Sequence, residues 1–118
     1  MSPKVEKSVE QYEVERLQIQ EIFGETNFVI SLDIEELDDI LTNDTKLHIE
    51  ASFFHFINNN DYVETIKHYI MNKPEGNITK KDALFYLKQV YFTPLDNHMF
   101  IESFDKVKDN HYSLFLGS

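Results

Sequence analysis

Five histidines, His48, His55, His68, His98 and His111, and an acidic run, Glu35, Glu36, Asp38 and Asp39, are the side chains of this chain most able to do chemistry. Imidazole ligates metals and carries protons near neutral pH, and paired carboxylates can act as general acid and base. Either chemistry needs its groups brought together. No two histidines stand three or four residues apart and no HExxH is present, so helical spacing assembles no metal site. The acids fall on consecutive turns of one segment, the pattern of a solvated face. No glycine-rich phosphate loop, nucleophile elbow or Ser, His and Asp order stands out. The expectation is therefore no catalytic residue, no metal, no cofactor and no small-molecule substrate.

The stretch "PEGNIT", residues 74–79, asks a different question, because it sets a glycine, a hydrophobic residue and a threonine between two amphipathic segments. A calcium loop of twelve residues turns at a glycine in position six and pairs a hydrophobic residue at position eight with a neighbouring loop. With Gly76 at six, Met71 is position one, Lys73 three, Glu75 five, Ile78 eight, Thr79 nine and Asp82 twelve. A thioether and an ammonium cannot serve a hard cation, so this loop should be empty. A second loop starting at Asp105 keeps Asp109 at position five but offers Val107 at three and Leu116 at twelve, and Tyr112 stands at eight. It should be empty too.

The elements that must position these loops read as helices, since apolar residues recur at three and four more than at two. Val9 to Phe23 is expected as a helix ending at Gly24. Phe28 to Ile30 reads as a short extended segment, and Ser31 as the start of a helix carrying Leu37, Ile40 and Leu41. A brief extended stretch around Leu47 leads to a helix from about Ile49 to Ile57, and Asn58 to Asp61 marks the main boundary. Tyr62 to Met71, with Val63, Ile66 and Ile70 on one face, reads as helix, as do Lys80 to Val90 and the segment after Thr93 and Pro94 through Phe104.

With 118 residues, 42% hydrophobic and 14% aromatic, the chain can build a real core. Twenty-one acids against eleven Lys and Arg give a formal charge of -10, which disfavours nucleic acid and anionic membranes and suits a basic protein partner. The absence of cysteine and of a long apolar run fits a cytoplasmic protein.

The stretches "YVETIKHYIMNKPEGNITKKDALFYLKQV" and "TPLDNHMFIESFDKVKDNHYSLF" together resemble degenerate EF-hand proteins of the calmodulin-like myosin light-chain family, including the divergent light chains of apicomplexan myosins. The resemblance implies an all-α fold of helix–loop–helix pairs with degenerate loops and very short pairing strands. It divides the chain into an N-terminal helical region, 1–57, with at most one and a half hands, and a C-terminal lobe, 58–118, with two. It implies a calcium-independent protein that clamps a basic IQ-type helix of a myosin heavy chain and stiffens the lever arm. The groove would be lined by Phe85, Leu87, Val90, Met99, Phe100 and Phe104, with an acidic rim of Asp96, Glu102, Asp105 and Asp109 facing the helix. The competing reading is a small acidic helical antagonist, an immunity protein, antitoxin or nucleic-acid mimic, which blocks a basic site with its carboxylates.

Overall fold

The computed structural model describes residues 7–94 and 99–117, those at 54–56 through their backbone alone. These residues form two α-helices, seven strands and one short 3-10 turn. The fold is mixed α/β and not all-α, so the expected all-α architecture of paired EF-hands is overturned.

The chain opens with α1 (Val9–Phe23), as its sequence leads one to expect. Ser8 caps it: the hydroxyl accepts from Gln11 N–H at 3.2 Å while the Gln11 side chain accepts from Ser8 N–H at 2.9 Å. Gly24, at φ 67, ends it. A two-residue strand, β1 (Val29–Ile30), follows, then the 3-10 turn Ile34–Asp38 and β2 (Ile40–Thr42), in place of the expected helix through Leu41. The segment expected as a helix from Ile49 to Ile57 belongs to β3 (Lys46–Phe56), and that expected from Tyr62 to Met71 is β4 (Tyr62–Asn72). Asn58 to Asp61 make the turn between them, with Asn58 Oδ1 accepting from the N–H groups of Asn60 and Asp61. The expected division between residues 57 and 58 thus falls in the turn of a single hairpin.

"PEGNIT" is a turn and a helix start. Gly76 N–H donates to the Lys73 carbonyl at 2.9 Å, and Gly76 has φ 71. A Cβ on it would meet the Asn43 carbonyl oxygen at 2.6 Å, so both conformation and space require glycine. Ile78 lies in β5 (Ile78–Thr79), which pairs antiparallel with β2. Thr79 then caps α2 (Lys80–Gln89): its hydroxyl accepts from Asp82 N–H at 3.1 Å, and the Asp82 carboxylate accepts from Thr79 N–H at 3.0 Å. Position "twelve" of the supposed loop is the acidic end of a capping box. Thr93 and Pro94 are not helical, the part of the expected helix at 95–98 lies outside the described residues, and Phe100 opens β6 (Phe100–Lys108), which returns through β7 (His111–Gly117).

The main sheet runs β1-β6-β7-β3-β4, with β1/β6 and β3/β7 parallel and the other pairs antiparallel. Alternate residues of β3, Leu47, Ile49, Ala51 and Phe53, are buried, and they share one core with Ile101, Phe104, Tyr112 and Leu114 of β6 and β7. Ile19 and Phe23 of α1 and Ala83, Leu84 and Leu87 of α2 join the same core. Both α-helices among the described residues join the core on that one face. The other face, carrying His48, Glu50 and Ser52 from β3, is left open to solvent.

Candidate metal centre

Strand alternation decides what reaches the open face. On β3, His48 and Glu50 are two apart and point away from the core. The antiparallel register sets His68 of β4 opposite Glu50, and the parallel register sets His111 of β7 opposite His48. Three imidazoles and one carboxylate therefore meet across three strands.

The His111 Nε2 and Glu50 Oε1 atoms are 2.8 Å apart, and since an ionised carboxylate only accepts, His111 donates. His68 turns Nδ1 toward the same oxygen at 3.9 Å, while its Nε2 lies 3.1 Å from His48 Nδ1. The His48 and His111 rings stack, with centroids 5.3 Å apart and planes 13° from parallel. One ligand atom each from Glu50, His68 and His111 can be chosen within 4.8 Å of one another.

Desolvation among these rings, with His111, His68, Lys46 and Lys108 nearby, pushes the His48 imidazole below the usual histidine range. Ligands at ~2.1 Å from a tetrahedral zinc ion stand ~3.4 Å apart, a spacing that the 2.8 Å from His111 Nε2 and the 3.9 Å from His68 Nδ1 to Glu50 Oε1 bracket. Two imidazoles and a carboxylate form a donor set suited to zinc and its neighbours more than to calcium.

This cluster is absent from the reading by helical spacing, because His48, His68 and His111 come together only through strand pairing. The signal within the sequence is "LHIEASF", where a polar residue alternates with a core residue and puts His48 and Glu50 on one side.

The residues expected to line a groove are divided by the fold. Leu87 and Phe104 are core, and Phe85 is half-exposed with its ring 4.6 Å from that of Phe23. Val90 caps the end of α2, Met99 accepts from Val29 N–H through its carbonyl, and Phe100 lines a cleft with Phe23, Phe28, Phe92 and Lys88. No groove between four helices gathers them, since the described residues hold two α-helices.

The supposed loop positions are likewise placed otherwise. Met71 and Ile78 are buried and Glu75 is exposed. Lys73 bonds Asp82 at 2.8 Å, and Tyr112 is a core residue whose hydroxyl donates to the Leu41 carbonyl at 2.6 Å. Ile78 pairs with Thr42, not with Tyr112. Of the acidic rim, Glu102 and Asp105 are exposed on β6, Asp109 pairs with Lys106 at 3.3 Å, and Asp96 lies outside the described residues.

No helix among the described residues is long and apolar enough to cross a membrane. Comparison with protein-family models, with curated proteins and with solved structures finds no match.

Proposed function

We propose that this chain binds one divalent transition-metal ion of the zinc class on the open face of its sheet, through Glu50, His68 and His111. The observation that carries the reading is the convergence of those three ligand atoms within 4.8 Å from three separate strands. A bound ion would take the place of the proton between His111 and Glu50 and use lone pairs already facing each other.

The cluster is half-exposed on a sheet face and not walled into a cleft, so water has free access to it. Sites of that kind hold ions and shape surfaces more readily than they exclude water for catalysis. We therefore read the ion as a binding and assembly element, and the protein as noncatalytic.

The test is calorimetric titration of zinc into protein freed of metal by a chelator. One ion per chain is expected for the unaltered protein, with Glu50→Gln and His111→Ala each weakening it at least ~10-fold. Zinc binding that survives both substitutions unchanged would place the ion elsewhere and remove this proposal.

A further inference from the structure

The two edges of the main sheet are unlike. At one end β1 is two residues long. At the other, β4 runs for eleven residues, pairs with β3 in an unbroken register and contains no proline. No strand among the described residues covers its outer edge. An edge of this length presents a row of backbone donors and acceptors, and folded proteins normally blunt such edges with bulges, prolines or outward charges. Residues 62–68 of β4 are exposed on both faces, and Val63, Ile66 and Ile70 are 46%, 59% and 48% exposed. The one lysine mid-strand does not guard it, because the Lys67 ammonium lies over the Phe53 ring, 5.4 Å from its centroid.

The sequence of β4 is self-complementary. In antiparallel pairing about a two-fold axis normal to the sheet, residues of like parity face each other and both open faces stay on one side. Centred on Ile66, that pairing sets Ile66 against itself, Val63 against Tyr69 and Thr65 against Lys67. It also sets Glu64 against His68, twice over. Opposite partners of this kind approach to Cβ separations of ~5 Å and stabilise the pair. Moving the centre one residue, to Lys67, would oppose two ammonium groups and lose the Glu64–His68 contacts.

We infer that a second copy of this chain pairs along β4, antiparallel and centred on Ile66, and that Glu64 of the second copy joins His68 and Glu50 at the metal site of the first. The continuous sheet joins two five-stranded halves. The shared carboxylate rests on the metal-binding reading of the site; the strand pairing does not. Since each copy supplies a carboxylate to the other's site, zinc should tighten the dimer.

Because the chain has no cysteine, one introduced thiol reports the register cleanly. The full chain is measured by light scattering after size exclusion, in chelator and in zinc, beside Ile66→Cys and Ile70→Cys under mild oxidation. The expected result is a mass twice 14.0 kDa, with zinc lowering the dimer dissociation constant about tenfold. Ile66→Cys, at the two-fold centre, should crosslink nearly completely; Ile70→Cys should not, its two copies being ~27 Å apart at ~3.4 Å per residue.

A single-chain mass in both buffers overturns the proposal, and so does crosslinking through Ile70→Cys in preference to Ile66→Cys. A dimer indifferent to zinc overturns the shared carboxylate. Zinc titration of Ile66→Lys, whose ammonium groups would meet at the axis and keep the chain single, reports separately on Glu50, His68 and His111. Failure of the pairing and failure of the metal site are thus told apart.

Discussion

The Asp82 carboxylate accepts a 2.8 Å bond from the Lys73 ammonium across the turn that joins β4 to α2. It also accepts from Thr79 N–H, so one side chain holds the end of a strand, a turn and the first turn of a helix. Partial burial works against its charge, but the Lys73 ammonium and the Thr79 N–H and hydroxyl outweigh this and hold its carboxyl below the usual aspartate range.

A pH dependence follows with a definite sign. A folded-state pKa below the unfolded one contributes stability above the unfolded value, about pH 4, and loses it as pH falls through the folded value. Denaturant midpoints of the unaltered chain and of Asp82→Asn should differ most at neutral pH and converge in acid. A gap that stays constant from neutral pH into acid would show that the Asp82 charge plays no part.

Gly76→Ala should destabilise the chain by about 2 kcal/mol or more, since the backbone has φ 71 and the new Cβ would stand 2.6 Å from a backbone oxygen. Gly76→Asn separates the two causes. Asparagine tolerates a left-handed backbone but brings the same Cβ, so it should fail nearly as badly. Full rescue by asparagine in urea unfolding would mean that the contact with Asn43 relaxes freely.

Leu87 and Val90 stand three residues apart at the end of α2 in different surroundings, Leu87 fully buried and Val90 38% exposed. Leu87→Ala should cost about 2–5 kcal/mol by opening a cavity, and Val90→Ala about 0.5 kcal/mol or less. Equal losses in thermal unfolding would contradict the core as described.

These contrasts explain which parts of the fold the sequence discloses. Helix α1 is legible because Ser8, Gln11 and Gly24 mark both ends, and α2 because its buried residues Ala83, Leu84 and Leu87 keep helical spacing. Strand β4 is not, for an edge exposed on both faces is under no pressure to alternate, and Val63, Ile66 and Ile70 fall by chance at three and four. In β6 the register shifts between Ile101 and Ser103, so the two inward residues Ile101 and Phe104 are three apart and imitate a helix turn. The Thr79 and Asp82 capping box was open to reading by the spacing of a hydroxyl and an acid ahead of an apolar run. The metal cluster was only half open to it. His48 and Glu50 follow from strand alternation, whereas His68 and His111 arrive through pairings 20 and 61 residues away along the chain.

Zinc should stabilise the folded chain and calcium should not. An ion that binds only the native state, present at a hundred times its dissociation constant, adds about 2.7 kcal/mol, which for a domain of this size raises the melting temperature by about 10 °C. Calcium prefers six or more oxygens, and this face offers one carboxylate among imidazoles, so the same concentration of calcium should leave melting unchanged. Glu50→Gln keeps the shape of the side chain and one acceptor oxygen for His111 but removes its charge; because Glu50 lies on the open face, the metal-free protein should melt near the unaltered temperature. Its zinc shift should shrink to a small fraction. A full zinc shift in Glu50→Gln, or an equal shift with calcium, would mean that the ion is held by other groups and that His111 and Glu50 are joined by a proton alone.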